Sequence, residues 1–178
     1  MDVISTSLDG LWKIVLRRVR DERGWFARTY DAERFAALGL ATSWPQHGEA
    51  YNAAAGTIRG LHFQREPHGE DKLIRCVRGA AYDVLLDARP ESPTYGRWEA
   101  FELREDDELA LYAPAGFAHG YQTLRDETIL HYLHSAPYVP DAAAGYRYDS
   151  PQLAIPWPQP PRVISERDRT LPHFGASN

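Results

Sequence analysis

The run Arg59-Gly60-Leu61-His62-Phe63-Gln64, with Lys72 ten positions after His62 in a valine- and leucine-rich stretch, holds the residue types of a proton-transfer site lined by cations. An enzyme acting on an anionic sugar would need that combination. A histidine's ordinary pKa, about 6.5, lets it take and return a proton near neutral pH. A lone histidine between apolar neighbours suits a half-buried strand equally well, neutral and satisfied by a backbone carbonyl. The local residues leave both readings open. Seven histidines also invite a metal. There is no His-x-His pair, His62 and His119 are far apart, and Glu70 falls in an expected loop, so no metal ligands are expected. A set assembled from separate strands is the alternative. Neither a Gly-x-x-x-x-Gly-Lys-Ser/Thr phosphate loop nor a Gly-x-Ser-x-Gly elbow occurs, which argues against a nucleotide hydrolase or a serine esterase.

The 178 residues suit one domain, 1–178, long enough to bury a core without disulfides. A net charge of −5, from 20 basic and 25 acidic residues, gives no global attraction to nucleic acid or to an anionic membrane. Any anion must therefore be held by a local cluster of arginine or lysine. Cys76 is the only cysteine, which excludes an internal disulfide and a cysteine-built zinc site and fits a reducing compartment. Its setting, Leu73-Ile74-Arg75-Cys76-Val77, marks a small core residue rather than a nucleophile. Met1-Asp2-Val3-Ile4-Ser5 has no basic flank or apolar stretch, and nowhere do 18 apolar residues run together, so a soluble cytoplasmic protein is expected.

The elements that must position these residues read as short strands. Trp12 to Leu16, Lys72 to Arg78, Ala81 to Leu86, Arg97 to Leu103, Leu109 to Ala113, Gly120 to Leu124 and Thr128 to Leu133 suit strands in length and composition. Turn residues separate them: Arg78-Gly79, Arg89 to Pro93, Arg104 to Asp107, Pro114-Ala115-Gly116 and Arg125-Asp126. Many short strands at close spacing imply a sandwich or barrel. One helix is expected over Ala32 to Leu38, with Asp31 as N-cap and Gly39 as stop, and a second short one from Ser165. The stretch Pro156 to Pro161 is expected to lie extended across the barrel surface.

Blocks along the chain resemble the dTDP-4-dehydrorhamnose 3,5-epimerase family. They are Asp21 to Phe26, Gly56 to Gln64, Lys72 to Cys76, Asp83-Val84, Ser92-Pro93-Thr94, Pro114 to Gly120, Tyr132, Tyr138, Trp157-Pro158 and Ile164 to Asp168, in family order over almost the whole chain. The resemblance implies an all-β fold, a cupin-type double-stranded β-helix or jelly roll with a few short peripheral helices. It implies a cofactor-free, metal-free enzyme, a homodimer whose N-terminal segment reaches the partner's site, inverting carbons beside the 4-keto group of a nucleotide-linked 6-deoxyhexose. In that scheme His62 is the base and Asp168 the carboxylate that fixes its tautomer. Tyr132 is the acid on the opposite face, and Lys72 holds the C4 oxygen as it becomes an enolate. Arg23 and Arg59 would grip the diphosphate through guanidinium forks, and Phe26 and Tyr138 would sandwich the nucleobase. Arg28, Gln46, His119 and Arg167 fall in the substrate shell.

Departures from the family pattern fall in that shell. Where relatives read Gln-x-Asn-x-Ser, this chain has Gln46-His47-Gly48-Glu49-Ala50, and Arg28 and Ala144 also differ from the common residues. The proton-transfer residues are spared. The leading expectation is a nucleotide-linked 4-keto-6-deoxyhexose 3,5-epimerase; the alternatives are an epimerase of one centre, a non-catalytic nucleotide-sugar-binding cupin and a metal-dependent cupin enzyme.

Overall fold

Side chains alternate across a strand, so each short strand can offer one face to a shared interior. The computed structural model describes residues 1–176. Through them run β1 Asp2–Ser5, β2 Trp12–Val15, β3 Arg18–Asp21, β4 Gly24–Ala27, β5 Gln46–Asn52, β6 Thr57–Gln64 and β7 Lys72–Arg78. They continue with β8 Ala80–Asp87, β9 Trp98–Arg104, β10 Leu109–Ala113, β11 Phe117–Thr123, β12 Thr128–His134, β13 Ala143–Gly145 and β14 Val163–Ile164. One sheet has the order β1-β2-β10-β7-β12-β5; the other has β13-β6-β11-β8-β9, with β14 parallel to β6. The β3–β4 hairpin stands apart from both. The fold is the expected all-β, cupin-type jelly roll.

Ile74, Leu111 and Leu130 of the first sheet pack against Leu85, Leu103 and Phe117 of the second. Each such side chain taken fully from water stabilises the fold by about 2 kcal/mol. The outer faces are covered in part as well. Phe35 and Trp44 lie over Ile14, Leu73 and Tyr112, while Leu153, Ile155 and Phe174 lie over Leu61, Val84 and Leu86. Between the sheets, Lys72 and Tyr132 line a cavity, with Tyr132 also packed against the core.

The two helices sit where their caps put them. Helix α1 spans Ala32–Ala37, its first turn capped by Asp31 accepting from the Arg34 N–H, and Gly39 (φ +70°) takes the chain out. Helix α2 spans Glu166–Arg169, and the Ser165 hydroxyl accepts from the Asp168 N–H at 3.1 Å. Strands β7 and β10 match expectation residue for residue. Strand β11 begins three residues before the expected Gly120, because Gly116 (φ +84°) completes the turn and Phe117 enters the interior directly. Strand β12 runs one residue further than expected, to His134. The stretch Pro156 to Pro161 crosses the second sheet largely exposed, with Trp157 packed on it and Gln159 bonded to Gln122.

Cys76 is buried, and burial pushes its thiol up to about 12, so it is a core residue. The Ser92-Pro93-Thr94 block holds the β8–β9 loop. Asp87 accepts from Ser92 Oγ at 2.5 Å, Thr94 Oγ1 at 2.6 Å and Arg89 Nη2 at 2.7 Å. Burial alone would raise the Asp87 carboxyl, but these donors outweigh it and hold it at about 2.

Candidate active site

The Arg59 to His62 motif gets its geometry from one extra residue. Along β11, His119 pairs with His62 and Tyr121 with Arg59, so two residues of β11 match three of β6. That is a β-bulge, and it overrides strict alternation. Arg59 and His62, three apart, both face the space between the sheets. Gly60 makes the bulge possible. Its φ is +106°, and a Cβ on it would lie 2.6 Å from Gly120 Cα and from the His119 carbonyl oxygen. Only glycine fits there. The Gly60 N–H, turned out of the ladder, donates to Asp168 Oδ2 at 3.1 Å.

Asp168 thereby joins the motif to the far end of the chain. Its Oδ1 lies 2.6 Å from His62 Nε2, and the carboxylate is almost wholly buried while His62 is about one-third exposed. Burial opposes ionisation of Asp168. Hydrogen bonds from His62, Gly60 and Ser165 outweigh it and hold the carboxyl below its ordinary value.

Around His62 lies a cavity of about 260 Å³. The second sheet supplies Arg59, His62, His119 and Tyr121; the first supplies Ala50, Lys72, Tyr132 and His134, and Glu70 enters from the loop before β7. Lys72 is 6% exposed, and its ammonium donates to the His62 carbonyl at 3.1 Å. Tyr132 is on the sheet facing His62. Burial, with Tyr121 and Asp83 nearby, raises its phenol well above the ordinary value, so it holds its proton. His119 stands edge-on to Tyr132, ring centroids 5.7 Å apart, and its Nε2 is 2.8 Å from buried Asp83. A histidine bonded to a buried carboxylate, a buried ammonium and a neutral phenol on the facing wall suit removal and return of a proton beside a carbonyl.

A second recess, about 360 Å³, shares Arg59 and His62 and continues past Asp168 to Arg167 and Val163. Arg59 is held by Asn52 Oδ1 at 2.9 Å and the Tyr51 carbonyl at 3.0 Å. Gln46 and Tyr138 meet at the rim, where Gln46 Oε1 accepts from the Tyr138 N–H at 2.9 Å. Arg23, Phe26 and Arg28 are not brought to either recess of their own chain. Arg23 pairs with Asp21 at the hairpin turn, Phe26 is 68% exposed, and Arg28 pairs with Asp31 at 3.0 Å. They sit on or beside the β3–β4 hairpin, which belongs to neither large sheet.

Glu70, His134 and Tyr121 line the cavity without having been expected there. Period-two spacing carried the signal for two of them: His134 follows Tyr132 and Tyr121 follows His119 by two positions on their strands. Among the described residues, no three His, Cys, Asp or Glu side chains converge as a metal ligand set. Each cavity histidine is instead bonded to its own carboxylate: His62 to Asp168, His119 to Asp83 and His134 to Glu70. Among the described residues no helix is long and apolar enough to cross a membrane.

Comparison with known proteins gives the site its context. The sequence profile of dTDP-4-dehydrorhamnose 3,5-epimerase matches residues 5–176. A dTDP-4-dehydrorhamnose 3,5-epimerase of Sinorhizobium fredii is 41% identical over 157 residues, covering 88% of this chain and 80% of that protein. A dTDP-4-dehydrorhamnose 3-epimerase of Streptomyces niveus is 38% identical over 163 residues, covering 91% and 78%. The crystal structure of dTDP-4-dehydrorhamnose 3,5-epimerase from Bacillus anthracis, with TDP and pyrophosphate bound, superposes with a TM-score of 0.93 at 39% identity, covering 97% of this chain and 99% of that one. The bulge-borne histidine with its buried carboxylate therefore sits in a fold and a sequence shared from end to end, and the chain belongs to the dTDP-4-dehydrorhamnose 3,5-epimerase family.

Proposed function

We propose that this enzyme epimerises a nucleotide-linked 4-keto-6-deoxyhexose at C3 and C5, most simply converting dTDP-4-dehydro-6-deoxy-D-glucose to dTDP-4-dehydro-L-rhamnose. The observation that carries the reading is the His62–Asp168 pair, 2.6 Å apart, in one cavity with Lys72 and Tyr132. His62 takes the proton from the carbon beside the ketone, and the electron pair moves to the C4 oxygen. Asp168 stabilises the imidazolium so formed. The Lys72 ammonium offsets the developing charge on oxygen, where it is worth most. Tyr132, on the facing sheet, returns a proton to the other side of the carbon, which inverts it.

Arg59 supports a diphosphate site, because its guanidinium is already oriented by Asn52 and lies where the two recesses meet. Arg167 borders the same recess. The hairpin carrying Arg23 and Phe26, with Arg28 after it, fits the site of a partner subunit in a cytoplasmic homodimer, since these residues stay away from their own. Phe26 and Tyr138, both exposed, are the aromatics suited to stacking on the base.

A single-centre epimerase is the second reading, and one feature favours it. Gly48 pairs with Tyr132 across β5 and β12, a Cβ there would meet nothing within 4 Å, and Ala50 lines the cavity. The wall beside the acid is therefore bare, and the sugar is less constrained there. Incubation with the keto sugar nucleotide, borohydride reduction and analysis of the released sugars separates the readings. Rhamnose and 6-deoxytalose mean that both centres were inverted; 6-deoxyallose and 6-deoxygulose mean C3 alone. Only quinovose and fucose would reject both.

A further inference from the structure

The Glu70–His134 pair has no part in the proton transfers described above, yet it borders the cavity beside both Lys72 and Tyr132. Glu70 Oε2 accepts from His134 Nδ1 at 3.1 Å, and its Oε1 lies 3.4 Å from the Lys72 ammonium. Both ends of the ion pair are more than nine-tenths hidden, with side-chain exposures of 8% for Lys72 and 9% for Glu70. The His134 ring also stacks on Tyr132, centroids 5.7 Å apart and planes 21° from parallel.

The backbone holds Glu70 in this place. Asp71, between Glu70 and Lys72, accepts from Tyr112 Oη and the Ala115 N–H, both at 2.7 Å, and its own N–H donates to Ser135 Oγ at 2.7 Å. The Ser135 N–H returns a bond to the Asp71 carbonyl at 3.0 Å. Three elements thus pin one residue, and its two neighbours both border the cavity.

We propose that Glu70, gripped by His134, is a positioning residue that pairs with the buried Lys72 ammonium and keeps it charged and aimed at the cavity. This rests on the reading of Lys72 as the group that meets the enolate oxygen. The physical need is clear: a buried amine favours its neutral form, and a neutral amine offers an enolate far less. Desolvation pulls the Lys72 ammonium down from its ordinary value and Glu70 opposes that fall. Burial would likewise neutralise Glu70, but the His134 hydrogen bond and Lys72 outweigh it and leave the carboxyl below its ordinary value. The other charged and titratable groups lining the cavity are Arg59 and His62 from β6, His119 and Tyr121 from β11 and Tyr132 from β12, and Asp83 of β8 also acts on the Lys72 ammonium. Asp83 acts in the same sense as Glu70 but is committed to His119 at 2.8 Å.

The sequence supplies a clean probe, because Lys13 and Lys72 are its only lysines. In protein labelled with carbon-13 at the lysine Cε, NMR therefore follows Lys72 through a pH titration, with Lys13 as the internal control. In Glu70→Gln the Lys72 midpoint is expected to fall by a full pH unit or more, a tenfold weaker hold on the proton, while Lys13 is unmoved. The alkaline limb of kcat moves to lower pH with it, which a merely structural loss would not cause. Glu70→Asp, whose carboxylate is retained but withdrawn, gives a fall of intermediate size and serves if the glutamine variant does not fold. An unchanged Lys72 midpoint in the folded variant would overturn the proposal. Because the titration needs no substrate, its result stands whether or not the epimerase reading does.

Discussion

His62 Nε2 lies 2.6 Å from Asp168 Oδ1, and the other oxygen of that carboxylate accepts from the Gly60 N–H two residues before the histidine. One buried side chain, 106 residues away, thus fixes both the ring and the bulge that presents it. The imidazole nitrogen that faces Asp168 carries a proton, which leaves the other ring nitrogen free to accept one. This link between a backbone irregularity and a tautomer organises the site.

Asp168→Asn keeps the shape but removes the charge that stabilises the imidazolium. The turnover number should fall by about 10²- to 10⁴-fold, as for comparable histidine–carboxylate pairs. Initial rates of product formation on protein with an unchanged unfolding curve check this; a loss under tenfold would mean that the carboxylate is only structural.

Tyr132→Phe should separate removal of the proton from its return. The base remains, so hydrogen at the carbon beside the ketone still exchanges with solvent. Inverted product should fall by 10²-fold or about that, the usual contribution of a positioned acid. Deuterium wash-in and product formation, followed on one sample by NMR, test the split; equal loss of both would remove Tyr132 from the acid role.

Gly60→Ala tests the bulge. The added methyl would meet Gly120 and the His119 carbonyl at 2.6 Å in a backbone conformation disfavoured for alanine. Strain and overpacking together should cost about 3 kcal/mol of stability, read from urea denaturation, and epimerisation should drop with it because His62 is displaced. A folded variant of wild-type stability and rate would show that the close approach is not binding on the backbone.

Asp87 should make the stability contributed by its loop acid-sensitive. Its carboxyl is held at about 2, below the ordinary value, so its stabilisation is complete above the ordinary carboxylate range and is lost as pH falls through about 2. Asp87→Asn should cost about 2 kcal/mol at pH 7, with the difference from wild type shrinking as pH approaches 2. Denaturation curves at several pH values show whether the gap closes in that direction.

Much of this was legible in the sequence, for identifiable reasons. Apolar runs such as Leu109 to Ala113 bury most of their residues and declare a strand, and Asp31 and Ser165 declared their helices by capping chemistry. Strands β3, β4 and β5 were not legible, because Arg18–Asp21, Gly24–Ala27 and Gln46–Asn52 are largely exposed and lack an alternating apolar face. Strand β6 was legible only as one of two readings of His62, and its bounds were not, since Arg59 and His62 break the two-residue period that marks a strand. At the site, His62, Asp168, Lys72, Tyr132, His119 and Arg59 came from family-like motifs and do line the two recesses. Glu70 lies in a loop with no strand period to reveal it, and its side chain reaches the cavity because Asp71 anchors that loop beneath it.

His62, as the proposed base, carries the first step of the epimerisation. With dTDP-4-keto-6-deoxyglucose in deuterated water, proton NMR should show the C3 and C5 signals disappearing as deuterium enters from solvent, and His62→Asn should abolish that exchange while leaving the unfolding curve in place. Exchange at neither carbon in the wild-type protein, or exchange at the wild-type rate in His62→Asn, would contradict that role.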